Sequence, residues 1–415
     1  MPNKTPSPAP PPAQGATGSG RMAWVVLTVL LLFSIAAPIN QFKVPPLLPV
    51  LMQALNLSVT RAGLLMSVFA VTGLILAIPA GFIFQKIGAR LTGLLAGGSI
   101  VIGAALGAVS SGVDGLLLSR IIEGIGTSFM AVLAPAIIAV WFSANKRGVA
   151  MGVWANWVPL GSTTMLILAP ILAAQGAWRA VWWFGAFYAL VVSGLYLFVL
   201  RPAPLQVAPP ALSASPPSAT VGEMGSVLRN SPLWLLSIAF GFFTMAFMGF
   251  ATFLPTYLSM VQNIPLPQAA QWASLVTIAA IISAPLAGNF SDRIGSRKIP
   301  YELGLALNAI LLPLGAVFHG SPLIVLITVQ GLAVGVVPPN IFAAATEVVG
   351  DERLGGLAMG VIMVGQNAGM LAGPIVFGAL VESAGGWPLA FGSLAVICLL
   401  GLLAGGLAKV KAISR

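Results

Sequence analysis

The chain has 415 residues, of which 58% are hydrophobic and only 7% charged, and its net charge is +10. Soluble globular domains carry about 25% charged residues, so this composition excludes a water-soluble enzyme and a disordered chain. A single cysteine and a single histidine exclude an intramolecular disulfide and a zinc site with the usual ligands. We therefore expect a membrane protein with many spans and with no metal or other cofactor.

Twelve apolar segments are long enough to cross the roughly 30 Å of bilayer hydrocarbon, which takes about 20 helical residues. In chain order they lie near 23–51, 62–84, 91–109, 116–142, 149–172, 180–200, 233–258, 269–286, 303–318, 322–345, 357–380 and 389–408. Residues 1–22 are rich in Pro, Ser, Gly and Ala and are predicted to be a disordered cytoplasmic tail. The first span is followed by no cleavage signature, so we expect it to stay in the protein.

The basic residues lie at the ends of these segments, which argues for a topology signal rather than for nucleic-acid binding. With the N-terminus in the cytoplasm, fifteen of the 19 Lys and Arg residues fall on that side. Arg61 and Arg179 fall opposite, whereas Lys43 and Arg120 lie inside spans. The positive-inside rule therefore predicts that both termini are cytoplasmic. Short loops and this orientation suit a multi-pass protein of a bacterial inner (plasma) membrane, in contact with lipids.

A Pro-rich segment and an internal repeat divide the chain into two halves. Residues 201–231 form the one long stretch too polar to span, and we predict a cytoplasmic linker there. On either side we predict bundles of six helices at 23–200 and 232–409, with a cytoplasmic tail at 410–415. The repeat offset is 207 residues (288 − 81), and it relates Gly81, Lys86, Gly88 and Arg90 to Gly288, Arg293, Gly295 and Arg297.

The loop motifs resemble those of the major facilitator superfamily of secondary transporters, and the likeness covers nearly all of residues 23–409. The family's loop after the second span reads G-x-x-x-D-[RK]-x-G-x-[RK]-[RK], which residues 288–298 match fully. In the first half, Gln85 replaces the acidic residue. The fourth span reads R-I-I-E-G-I-G at residues 120–126, similar to the family's R-x-x-Q-G-x-G. The resemblance implies an all-α, pseudo-symmetric fold and transport by alternating access.

Two readings are open for these loops. In the first, the glycines allow the backbone to turn or pack closely in a tight helical hairpin, and the basic side chains anchor the loop at lipid headgroups. Alternatively, Asp292 binds a helix N-terminus or an arginine and helps to hold one conformation. Because Gln85 has no charge, the equivalent contact in the first half is then weaker. The predicted gating residues are Gly81, Gln85, Lys86, Gly88, Arg90, Gly288, Asp292, Arg293, Gly295 and Arg297.

Three charged residues lie inside spans, where each costs about 2.5–3.5 kcal/mol on insertion scales and needs a partner. Arg120 and Glu123 are three residues apart and share a helix face, so two roles are open for them: a mutual ion pair, or a part in substrate or proton handling. The family resemblance links this arginine to proton coupling. Lys43 either reaches water at the outer end of the first span or lies deeper and binds an anionic part of the substrate.

The remaining candidate ligands are polar or aromatic residues within spans. The polar cluster around Lys43 has no counterpart in the second half, which favours a role in binding an asymmetric ligand. Other polar residues within spans are explained equally well by hydrogen bonds between helices. Gly369 and Gly373 are interpreted first as close-packing positions. The predicted substrate-binding residues are Asn40, Gln41, Lys43, Asn156, Trp157 and Gln330.

These features predict a secondary active transporter rather than an enzyme. No nucleotide-binding loop of the form G-x-x-x-x-G-K-[ST] is found, so a gradient rather than ATP supplies the energy. The intramembrane charges sum to +1, which favours a small anionic or carboxylate-bearing solute, with protons as the coupling ion in a symport. A multidrug or metabolite efflux antiporter and a transport-inactive receptor on the same fold are the alternatives. We expect a monomer without nucleic-acid partners.

Overall fold

A computed structural model describes residues 20–77, 79–200, 221–350 and 354–410. Residues 1–19, 201–220 and 411–415, which hold most of the predicted tails and linker, lie outside this description. We refer to the described residues up to 200 as the first half and to those from 221 onward as the second half. The boundaries predicted for the two bundles and the cytoplasmic location of the termini stay predictions.

The described chain is built of α-helices, which confirms the predicted fold class. They are α1 Gly20–Phe42, α2 Leu48–Leu55, α3 Val59–Ser67, α4 Phe69–Leu76, α5 Pro79–Val109, α6 Val113–Trp141, α7 Ala144–Trp154, α8 Trp157–Val199, α9 Val221–Leu228, α10 Ser231–Met260, α11 Leu266–Ile294, α12 Lys298–Leu314, α13 Gly320–Val349, α14 Gly355–Glu382 and α15 Gly386–Leu407. A short 3-10 turn, Pro45–Leu47, joins α1 to α2.

Two long helices each contain the end of one span and the start of the next. Gly88 in α5 has a φ of 76°, a left-handed conformation that divides the second span from the third. Ala177 in α8 has a φ of 59° and divides the fifth span from the sixth in the same way. Eleven segments of the described chain are long and apolar enough to cross a membrane. The predicted ninth span coincides with α12, which has 17 residues.

Some helices extend beyond the apolar segments from which the spans were predicted. The eighth span is predicted at 269–286, and α11 runs on to Ile294, with Ser291 and Asp292 near its end in contact with Arg297. The ninth was predicted at 303–318, but α12 begins at Lys298 and ends at Leu314. Hydropathy alone locates the apolar centre of a helix, not its ends.

Helices α10 and α14 pack with their backbones in direct contact. Gly365, Gly369 and Gly373 face α10 at intervals of four residues, and a Cβ at any of them would collide with a backbone carbonyl of that helix. For Gly369 the colliding atom is the carbonyl oxygen of Gly241. Small residues at such a spacing are the usual means of close helix approach in membranes. This packing agrees with the sequence interpretation of Gly369 and Gly373.

The two halves contact each other along two seams. One seam joins α3 to α14, where Thr60 of the first half binds Glu382 of the second. The other joins α8 to α11, where the hydroxyl oxygens of Thr163 and Thr277 are 2.7 Å apart. We name the end of the molecule at which α8 finishes and α10 begins the linker end. Glu382 and the start of α3 lie at the opposite end.

Candidate functional site

The three charged side chains inside spans form one cluster in the first half. Lys43 follows the last residue of α1, and its Nζ lies 2.6 Å from Glu123 Oε1 on α6. The other carboxylate oxygen, Oε2, is paired with the Arg120 guanidinium one turn earlier on α6. All three side chains are fully buried. The alternative in which Lys43 reaches water is therefore wrong, because its ammonium group is enclosed by protein.

Arg120 replaces hydrogen bonds that the break after α1 leaves unmade. Pro45 has no N–H, so the carbonyl of Gln41 lacks its helical donor. Arg120 Nη2 donates to that carbonyl at 2.9 Å, and Nη1 donates to the carbonyl of Asn40. Its Nε donates to the carbonyl of Leu65 on α3 at 3.0 Å. The guanidinium thus ties α1, α3 and α6 together while it neutralises part of Glu123.

The Lys43 ammonium group is held by three different kinds of contact. Besides Glu123, it donates to Asn40 Oδ1 at 2.9 Å and lies 4.6 Å from the centre of the Trp182 ring. Asn40 is fixed in turn, because its Nδ2 donates to the carbonyls of Ala36 and of Gly185 on α8. Asn40 and Trp182 therefore orient Lys43 toward the carboxylate. All of these contacts lie within the first half.

Glycines allow the surrounding helices to close over the charges. A Cβ at Gly103 of α5 would lie 2.7 Å from Glu123 Cγ, and one at Gly107 would collide with the Trp182 ring. On the other side, the Arg120 guanidinium lies 4.6 Å from the centre of the Phe69 ring. The result is a site with two cations and one carboxylate, shielded from water. In such a site, removing one charged side chain leaves its partner without a counter-charge, which is strongly destabilising.

Asn156 and Trp157, two further predicted ligands, make contacts near the start of α8. Asn156 Nδ2 donates to the carbonyl of Gly152 at 2.9 Å, and Trp157 stacks on Trp154 with ring centres 5.5 Å apart. Trp154 in turn donates to Ser34 Oγ on α1. Both predicted ligands are partly exposed, so they are open to a ligand, but these contacts do not join them to the charged cluster. Their role in substrate binding stays a prediction.

Gln330, also a predicted ligand, is buried in the second half. Its Nε2 donates to Asn308 Oδ1 at 2.6 Å, between α13 and α12. The repeat offset of 207 residues relates Gln330 to Glu123 (330 − 123), so a neutral amide pair stands where the first half has its charges. The sequence contained this signal, because the two loop motifs had already defined the offset of 207 residues. The charged cluster is therefore a feature of the first half within the described chain.

The gating motif of the second half forms an ion-pair network within that half. Asp292 pairs with Arg297, whose Nε donates to Glu347 at the end of α13 at 2.9 Å. Burial lowers the pKa of Arg297, but hydrogen bonds to Glu347 and Asp292 outweigh it, so the pKa is raised and the charge is kept. Sequence reasoning missed Glu347, which lies 50 residues from Arg297. An arginine thus binds Asp292, and the role of this contact in holding one conformation stays a prediction.

The glycines of the two motifs do not share one role. Gly88 and Gly295 both have left-handed φ angles, 76° and 66°, so the backbone turns there as the hairpin reading expects. Gly81 and Gly288 lie inside helices, and a Cβ at either would meet nothing within 4 Å. Neither a turn nor close packing explains these two. The basic residues Lys86 and Arg90 and the amide Gln85 are exposed near the first turn.

The different backbone conformations of Gly295 and Gly288 predict different effects of alanine at the two positions. Gly295→Ala forces a side chain into the left-handed region, so we expect the free energy of unfolding to fall by about 1–2 kcal/mol. Gly288→Ala, in open space within a helix, is expected to leave it unchanged or to raise it by up to about 1 kcal/mol. Unfolding of the purified variants in mixed detergent measures both. Equal losses in the two variants would contradict the assignment.

Comparisons with known proteins agree on the family of this chain. The family model described as Major Facilitator Superfamily matches residues 30–282 and 263–411 of this chain. A protein named "probable sulfoacetate transporter" from Cupriavidus necator is 23% identical, over 88% of this chain and 89% of its own length. The hexuronate transporter of Bacillus subtilis is 24% identical, over 92% of both chains. An MFS-type efflux pump of Mycolicibacterium smegmatis is 27% identical, over 88% of this chain and 85% of its own.

A solved structure has the same fold. The crystal structure of a bacterial homolog of the human lysosomal transporter Spinster, in an inward-facing and unoccupied conformation, aligns with a TM-score of 0.80. The alignment covers 94% of this chain and 98% of that chain, at 16% sequence identity. At this identity, the likeness establishes the fold alone.

Proposed function

Because the chain belongs to the major facilitator superfamily, and is thus a multi-pass membrane transporter rather than an enzyme, we propose that it carries a small anionic solute together with a proton. The buried cluster of Lys43, Arg120 and Glu123 is the observation that carries this proposal, since two cations there share one carboxylate. The relatives named as a probable sulfoacetate transporter and a hexuronate transporter support an anionic substrate. The mechanism is alternating access across the inner membrane.

The cluster couples the two ligands through charge. When Glu123 takes up a proton, both cations lose their counter-charge, and an anion from the substrate restores it. When the proton leaves, the carboxylate competes with the substrate for the cations and favours its release. Proton and anion therefore bind together, which defines a symport. Taken together, proton binding and anion binding leave the net charge of the low-dielectric site at +1, whereas either step alone leaves an uncompensated charge that costs several kcal/mol.

Lys43 is the cation that meets the substrate in this scheme. Arg120 is fixed by three backbone carbonyls as well as by Glu123, so its movement would break the packing of α1 and α3. Lys43 has a flexible four-carbon stem, and its ion-pair partner is Glu123. It also follows directly after α1, where the helix is broken. Asn40 then acts by positioning Lys43, and Gln41 by offering its carbonyl to Arg120.

Transport by purified protein in liposomes tests the proposal. Counterflow is measured with a panel of small carboxylates, sulfonates, amino acids, sugars and cationic dyes, with and without an imposed pH gradient. We expect flux of a carboxylate or sulfonate that a proton gradient accelerates. Flux of cationic dyes alone would favour the efflux alternative. The absence of flux for every class would favour a receptor.

Variants distinguish anion binding by Lys43 from proton coupling by Glu123 in this assay. Lys43→Ala is expected to abolish binding of the transported anion, whereas Lys43→Arg retains part of it. Glu123→Gln is expected to keep counterflow but to lose acceleration by the pH gradient. Lys409→Ala removes an exposed cation of the second half that lies outside both loop motifs, and it serves as the control. Unchanged proton-driven uptake by a folded Glu123→Gln protein would refute the coupling.

A further inference from the structure

One hydrogen-bonded contact joins the two halves at the end opposite the linker. Glu382 is the last residue of α14, and its side chain reaches the first turn of α3. Its Oε1 accepts from the backbone N–H of Thr60 at 3.0 Å, and its Oε2 accepts from Thr60 Oγ1 at 2.6 Å. Both carboxylate oxygens thus bind Thr60 of the other half, and Ser58 and Val59 at the start of α3 also interact with this carboxylate.

The ends of the two helices make this contact favourable. The first N–H groups of an α-helix have no helical acceptor and carry partial positive charge. In α3, Ser58 Oγ accepts from Arg61, and the second half supplies the acceptor for Thr60. Glu382 itself stands at the carboxyl end of α14, where its own helix dipole disfavours a negative charge. Its carboxylate is therefore better placed on α3 than free in solvent.

Close packing of the two helices holds these groups in register. A Cβ added to Gly378 would lie 3.0 Å from the Cα of Thr60, and one added to Gly63 would lie 2.6 Å from the carbonyl oxygen of Pro374. Larger residues at either position would push α3 away from α14. The two glycines thus bring the helix start within reach of Glu382.

The repeat shows that the second seam lacks this device. Between the fifth and eleventh spans the offset is 208 residues, because Ala150–Val153 recurs as Ala358–Val361, so Glu382 corresponds to Ala174; at the offset of 207 residues, Thr60 corresponds to Pro267. Proline has no N–H to donate, and alanine has no polar group in its side chain. Across that seam, between α8 and α11, the halves share the hydrogen bond between Thr163 and Thr277. The carboxylate contact is therefore specific to one of two otherwise related seams.

We propose that Glu382 is a latch that holds the end opposite the linker closed, by completing the N-terminal cap of α3 from the other half of the molecule. Rocking of one half against the other opens that end and separates α3 from α14 there. The contact must break in every cycle, so its strength sets the population of the state that is open at this end. The latch does not depend on the identity of the substrate or on proton coupling.

Spin-label distances test the latch in lipid nanodiscs. Labels at the exposed positions Gln53 and Ala384, in a Cys398→Ala background, report the separation of the halves at this end. Glu382→Gln is expected to raise the fraction with separated labels about two- to fivefold, the range that a helix-terminus charge supplies. Thr60→Val keeps the backbone N–H but removes the hydroxyl donor, so a smaller shift in the same direction is expected.

A matched control and a second label pair make the result decisive. Glu302→Gln removes a carboxylate that pairs with Lys298 within the second half, and it should leave the distances unchanged. Labels at the exposed positions Val149 and Ile299 follow the linker end, where the latch variants should shift the population toward shorter distances. If Glu382→Gln does not fold, Thr60→Val alone decides. A distance distribution that matches the parent protein in the folded variants would overturn the proposal.

Discussion

Glu123→Gln is expected to lower the free energy of unfolding by about 3–5 kcal/mol, the usual loss when one partner of a buried ion pair is removed. The substitution leaves Lys43 and Arg120 side by side without a counter-charge, in a site from which water is excluded. Thermal unfolding in detergent and the yield of monodisperse protein measure the loss.

The net charge of the cluster predicts the order of stability among its variants. Lys43→Met leaves a neutral Arg120–Glu123 pair and is expected to cost less than Glu123→Gln. The double variant Lys43→Met with Glu123→Gln carries the parent charge of +1, so it should be more stable than Glu123→Gln alone. Lys43→Met removes anion binding in the proposed mechanism even where stability is kept. A double variant less stable than both single ones would contradict this reading of the cluster.

Gly369→Leu is expected to disrupt the packing of α10 against α14 and to cost about 3 kcal/mol or more. Its Cβ would collide with the carbonyl oxygen of Gly241, and a backbone cannot move aside as a flexible side chain can. Overpacking of a tight core costs about 1–3 kcal/mol even when side chains absorb it. The expected result is a large drop in folded protein, seen as loss of the monodisperse peak.

A glycine in open space provides the control for this substitution. Gly98 of α5 has nothing within 4 Å of an added Cβ. Gly98→Leu is therefore expected to change the free energy of unfolding by less than about 1 kcal/mol. Similar yields for the two leucine variants would show that contact between the α10 and α14 backbones is not what stabilises the second half.

The sequence predicted the spans, the repeat and the turn glycines, because these depend on local composition and spacing. An ion pair between Arg120 and Glu123 was one of the two roles left open for them, since residues three apart share a helix face. Their link to Lys43 was not predicted, because 80 residues separate Lys43 from Glu123 and the contact exists only after folding. The carbonyl contacts of Arg120 were missed too, although Pro45 marks the carbonyl that lacks a donor.

The predicted ligands outside the cluster show a second limit of sequence reasoning. Hydropathy shows that Trp157 and Gln330 lie in spans but not which neighbour each one faces. Gln330 turns out to face Asn308, and Trp157 faces Trp154. Helix rotation is set by packing against other helices, which periodicity reveals only for amphipathic segments. These spans are apolar all round, so that information is absent.

The separation of Lys43 from Glu123 along the chain also has a consequence for biogenesis. The first span leaves the ribosome with an ionisable amine, while its counter-ion is made 80 residues later. At about 5–20 residues per second, that interval is on the order of ten seconds. During it, the first span bears an insertion cost of about 2.5–3.5 kcal/mol, so it must wait in a hydrated environment or be held by the insertion machinery. Arrival of the fourth span then supplies the carboxylate that Lys43 shares with Arg120, and the first four spans become a unit that lipid can accept.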